Sequence, residues 1–141
     1  MAGYERSIYQ GYLSKVPMFA SCTPAQLDEI AQLGEMDSHE DGEVILREGD
    51  AGAGFFVVSS GHAAVSRGGE RVATLGVGDH FGELALFDPA PRNATVTAEG
   101  TTTVIGLHRD AFRQALDDVP ALRDALLTGM AHRLHELDAR A

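Results

Sequence analysis

The chain has 141 residues, 44% of them apolar, with 21 acidic against 11 basic side chains, a net charge of −10 and a single cysteine. That length suits one ordinary domain, able to bury about two-thirds of the surface its unfolded form exposes. The acidic balance excludes non-specific nucleic-acid binding, which needs a basic footprint. The lone Cys22 excludes an internal disulfide and points to a reducing compartment, and no apolar run approaches the ~18 residues of a membrane span.

The opening residues, MAGYERSIYQ, lack the basic segment and apolar run of a secretory signal, so a cytoplasmic location is expected. Residues 4–34 read as helical. Leu13, Val16 and Phe19 recur at three-residue spacing, and Pro17 marks a break between two short helices. Thr23-Pro24 is a helix start, with Thr23 as N-cap and Gln26 at the spacing of a capping box. Leu27, Ile30, Ala31 and Leu33 give that helix its apolar face. From residue 36 to residue 108 the texture changes to short β-type runs punctuated by glycine. Strands are expected at 43–47, 55–59, 63–66, 71–75, 94–98 and 102–107, with a hairpin turn at Gly68-Gly69. Many short strands at this spacing predict a sandwich or barrel.

Residues 81–97, FGELALFDPAPRNATVT, read as an anion cradle. Gly82 has no Cβ and lets backbone approach a ligand closely. A helical turn from about Glu83 to Leu86 would aim free N–H groups at negative charge. Pro89 and Pro91 shape the following loop, and Arg92 then supplies a permanently charged, forked donor suited to phosphate. A carboxylate would repel a phosphate, so Glu83 is expected to accept hydrogen bonds from a hydroxyl or an arginine.

Beyond the last strand, residues 109–138 are helical again, and Asp117-Asp118-Val119-Pro120 divides them into two helices. In the second, Leu122, Leu126, Met130, Leu134 and Leu137 form an apolar stripe, widened by Leu127 and Ala131. Gly129 within it leaves room for another backbone. The stripe fits core packing or a face shared between two copies, and both readings stay open. His132 and His135 lie three apart beside Glu136 but do not make a His-Glu-x-x-His motif, so no metal site is expected there. No nucleophile and base stand at a recognisable spacing, and no catalytic residue is assigned.

The run FGELAL, a loop, then PRNATV resembles the phosphate-binding cassette of the cyclic nucleotide-binding domain family, which includes catabolite activator protein and protein kinase A regulatory subunits. The resemblance extends over residues 12–137. It implies a mainly β fold with flanking helices: an eight-stranded jelly-roll barrel at 36–108 interrupted by the cassette at 81–97. Helices at 4–34 precede the barrel and a helical lid at 109–138 follows it, in a single domain spanning 1–141. It implies a non-enzymatic sensor with a cyclic nucleotide as ligand, cAMP or cGMP, and no cofactor. Arg92 would pair with the cyclic phosphate, and Glu83 with the ribose 2′-hydroxyl. Backbone amides at Gly82, Leu84 and Ala85 would complete the cradle.

Asn93 stands where the family has Ala, Ser or Thr. It can donate an N–H to a phosphate oxygen, and without a threonine there cAMP is expected over cGMP. Val65 and Ala73 fall on strands that flank the base in the family, and Arg133 and Leu137 on the final helix that reaches toward it. Arg133 is also placed to pair with Glu83. No helix-turn-helix, kinase or channel segment is read in the sequence, which resembles a stand-alone sensor acting on a downstream protein or on a second copy through its C-terminal helix. The alternative is a degenerate member of the family, serving as an interaction or dimerisation scaffold with a weak or different ligand.

Overall fold

A computed structural model of the chain describes residues 1–88 and 90–140, the last two as backbone only. Pro89, one of the two loop prolines, lies outside the described residues. The chain forms two compact units: a helical one made of Met1–Leu33 and Asp110–Ala141, and a β one made of Gly34–Arg109.

In the helical unit, α1 (Gly3–Leu13) runs to a short 3-10 turn at Pro17–Phe19, followed by α2 (Pro24–Ala31). Leu13, Val16 and Phe19 are fully buried, as their spacing predicts. The α2 N-terminus is closed reciprocally: Gln26 N–H donates to Thr23 Oγ1 at 3.2 Å, and Thr23 N–H donates to Gln26 Oε1 at 2.8 Å. After the β unit come α3 (Arg109–Asp118) and α4 (Pro120–Arg140), broken where the Asp-Asp-Val-Pro run predicts. Phe112 on α3 meets Phe19 edge to face, with centroids 6.2 Å apart. Leu122 and Leu126 of α4 are buried, and Gly129 brings α4 onto the backbone of the 3-10 turn. A Cβ at Gly129 would stand 2.6 Å from the Met18 carbonyl oxygen. The close approach read from this glycine is therefore made within the chain. Past it the stripe emerges: Leu134 is 63% exposed and Leu137 45%.

The β unit holds β1 (Glu35–His39), β2 (Val44–Leu46), β3 (Gly54–Arg67), β4 (Glu70–Leu75), β5 (His80–Phe81) and β6 (Thr95–His108). All belong to one antiparallel sheet in which β3 and β6 pair along their length. β1 and β2 line the two halves of β6, while β5 and β4 line the two halves of β3. Where eight separate strands are expected, the sheet holds six among the described residues. The segments expected at 55–59 and 63–66 are one strand, β3, and those expected at 94–98 and 102–107 are one strand, β6. Neither glycine-marked interruption breaks the ladder: the chain bends through register shifts between Val58 and His62, opposite Gly100. Buried Thr102 fastens this bend, its hydroxyl donating to the His62 carbonyl at 2.9 Å.

Candidate functional site

The cassette begins where the chain leaves β4. Asp79 accepts from Gly76 N–H through its side chain at 2.7 Å, its carbonyl accepts from Val58 N–H of β3 at 2.9 Å, and Gly78 N–H donates back to the Val58 carbonyl at 2.8 Å. This lays β5 against β3, with Phe81 stacked on Phe56 at 5.3 Å. Gly82 then adopts φ +85°, which a side chain would strain, and turns the chain into a 3-10 turn at Glu83–Leu86. Ala85 and Leu86 are buried and anchor that turn, while Leu84 is exposed. The turn that the sequence predicts is present, with one of the cradle amides already engaged: Ala85 N–H donates to the Gly82 carbonyl at 3.0 Å.

Arg92 is held by the loop between β2 and β3. Its N–H donates to the Asp50 carbonyl and its own carbonyl accepts from Gly49 N–H, both at 2.8 Å. The neighbouring Pro91 bridges Ala51. The side chain passes between Gly52 and Gly82, where a Cβ at either glycine would overlap it, and Nη2 donates to the Gly54 carbonyl at 2.7 Å. The guanidinium is half-buried; burial pushes its pKa down, and Nε has no hydrogen-bond partner among the described residues. A cavity of about 270 Å³ opens beside it, lined among others by Arg47, Asp50, Phe56 and His108. The residues of the 3-10 turn are not part of that lining.

Glu83 is about one-third exposed, and its Oε2 lies 3.4 Å from Nδ1 of His80. Asn93 exposes its side chain, while its carbonyl accepts from Arg67 Nε at 3.0 Å. Val65 sits on β3 directly between Ala73 of β4 and Val96 of β6, so the two base-side candidates are cross-strand neighbours. Arg133 and Leu137 lie on the exposed part of α4, where Arg133 pairs with Glu136 at 3.4 Å. Among the described residues no three His, Cys, Asp or Glu side chains converge as a metal site, and no helix is long and apolar enough to cross a membrane.

Sequence reasoning missed Asp50, Gly52 and Gly54. The signal was the run Gly49-Asp-Ala-Gly-Ala-Gly54, whose closely spaced glycines clear a path for a side chain.

The chain belongs to the cyclic nucleotide-binding domain family, which it matches over residues 36–119, more than half its length. It is 37% identical over 134 residues to a cAMP-dependent protein kinase regulatory subunit from Hypocrea atroviridis, covering 94% of this chain and 29% of that protein. Among solved structures, the N-terminal domain of a transcriptional regulator from Streptomyces coelicolor A3(2) matches with a TM-score of 0.83 at 29% identity, covering 91% of this chain and 95% of that one. The regulatory domain of Toxoplasma gondii PKA, crystallised with cAMP, matches with a TM-score of 0.70 at 28% identity, covering 96% and 51%. The chain spans about a third of the length of the curated relatives it matches.

Proposed function

We propose that this domain is a cAMP sensor that signals through a conformational change of α4. The observation that carries the reading is the isolation of Arg92. Its guanidinium is half-buried in the path between Gly52 and Gly82, donates to one neutral carbonyl and forms no ion pair among the described residues. A half-buried guanidinium that meets no carboxylate in an ion pair among the described residues is a site for an anion from outside. The cAMP bound to the Toxoplasma relative supports a cyclic phosphodiester as that anion.

In this reading Arg92 forks onto the phosphate, helped by backbone N–H groups at Gly82, Leu84 and Ala85 and by the Asn93 amide. Ala85 N–H must exchange its bond to Gly82 for one to the ligand. Glu83 accepts from the ribose 2′-hydroxyl, and Val65 and Ala73 flank the base. In the bound state Arg133 and Leu137 of α4 close on it, and the exposed end of the stripe serves a downstream protein or a second copy. Counting each bent strand as two segments, the sheet is the family's eight-stranded jelly roll, and both units act as one domain. No chemistry is done on the ligand.

Calorimetric titration with cAMP and cGMP tests this directly. Binding of both, tighter for cAMP, is expected, with amide exchange across residues 131–138 slowing when cAMP is added. Absence of heat with either nucleotide at high protein concentration leaves the scaffold reading in its place.

A further inference from the structure

We propose that Gly52 is a positioning residue for Arg92: the space of its missing side chain is the channel through which the guanidinium reaches Gly54. The inference deepens the reading of Arg92 as the phosphate ligand and rests on it only for its effect on affinity.

Glycines occur in this chain for two separable reasons. Eight of them have positive φ, where a side chain would strain the backbone, and Gly52 is not among these. Its backbone conformation is open to any residue. What it cannot tolerate is volume, because a Cβ there would overlap Nε, Cζ and Cδ of Arg92. Gly82, on the other side of the same side chain, is over-determined: it has φ +85°, and a Cβ would also come within 2.8 Å of the Gly54 carbonyl oxygen. Gly52 is therefore the position at which the path of the guanidinium can be obstructed and nothing else.

The obstruction cannot be relieved by sliding Arg92 along the chain. Its backbone is tied to Asp50 and Gly49 on the same loop, so loop and arginine move together. The side chain must change rotamer, which lifts Nη2 from Gly54 and brings the buried Nε toward water. Since the obstacle is a flexible side chain and not backbone, the sheet can survive the change. Gly52→Ala should thus separate the position of the guanidinium from the integrity of the fold.

The test uses the full chain and two readouts. Without ligand, the Nε–H resonance of Arg92, assigned by its loss in Arg92→Lys, should shift and exchange faster in Gly52→Ala, while the backbone amide spectrum of the β6 core stays in place. By calorimetry, cAMP affinity should fall about ten-fold, the scale of one charge-assisted bond, and Gly52→Ser should fall at least as far. A resonance that does not move in Gly52→Ala overturns the proposal, whatever happens to affinity. A moved resonance with cAMP affinity unchanged upholds the positioning role and overturns Arg92 as the phosphate ligand. If the resonance moves but the unaltered protein binds no cyclic nucleotide, Gly52 still positions Arg92, and it is the ligand assignment that fails.

Discussion

Arg92 is fixed at its backbone by Asp50 and Gly49 and at its side chain by Gly54 before any ligand arrives, so little ordering remains to oppose binding. Arg92→Ala is expected to lose roughly 1.5–3 kcal/mol of binding free energy, the worth of charge-assisted hydrogen bonds. That is about one to two orders of magnitude in affinity. Arg92→Lys should not rescue it, because an ammonium keeps the charge but lacks the fork that meets a phosphate bidentately. Calorimetry on both variants checks this, and near-native affinity in the alanine variant would place the phosphate elsewhere. The arginine was legible in the sequence because its type and its distance from Gly82-Glu83 carry the chemistry. Gly52 was not, because a glycine that makes a turn and one that makes a channel are the same letter until the chain folds. A second residue was hidden for a similar reason. Tyr9 looks like an ordinary apolar position of α1, yet its hydroxyl is buried without a hydrogen-bond partner among the described residues, and desolvation pushes its pKa well up. Removing an unpaired buried hydroxyl relieves a cost of about 1 kcal/mol, so Tyr9→Phe should raise stability in urea denaturation by that order. The sign with pH follows. The folded pKa lies above the unfolded one, so stability is complete below about pH 10 and declines above it, and Tyr9→Phe should lose this alkaline decline.

The elements legible in the sequence are those with a local chemical reason: the Thr23-Pro24 start of α2, the break between α3 and α4 at the Asp-Asp-Val-Pro run, and the hairpin turn at Gly68-Gly69 between β3 and β4. Those misread depend on partners. β1, Glu-Met-Asp-Ser-His, is mostly exposed and has no apolar alternation to announce it; only its pairing with β6 makes it a strand. β5 has two residues and exists because the Gly76–Asp79 turn presses it onto β3. β3 and β6 were split because glycine and serine runs look like stops, whereas the two strands bend together there and keep their ladder. α4 shows the same dependence along its length. Its apolar stripe is continuous in sequence, but Leu122 and Leu126 are core while Leu134 and Leu137 are exposed, with Gly129 between the two pairs against Met18. Gly129→Val should destabilise the protein by about 2 kcal/mol, because overpacking against a backbone carbonyl outweighs the helix propensity gained over glycine. Thermal or urea unfolding reads this without any ligand. An unchanged midpoint would mean that α4 is not held at Met18 in solution.

At the scale of the whole molecule, the charge of −10 and the cationic site pull in opposite directions on a cyclic phosphodiester, and distance decides which is felt. Far from the surface the ligand meets the net field, which repels an anion and slows encounter. Only at close range does Arg92 dominate. Salt acts unequally on the two. The Debye length falls from about 30 Å at 0.01 M to about 8 Å at 0.15 M, so the long-range repulsion is largely removed, while a half-buried guanidinium in contact with its ligand is screened much less. The association rate constant for cAMP should therefore rise with ionic strength, on the order of a few-fold between those two concentrations, with dissociation changing little. This is the reverse of the usual steering of a ligand toward an oppositely charged protein. Stopped-flow binding of a fluorescent cAMP analogue across a chloride series measures it. A rate that falls with salt would show that the local potential around Arg92 extends far enough to overcome the acidic surface, and that capture begins at the arginine rather than after passage through a repulsive field.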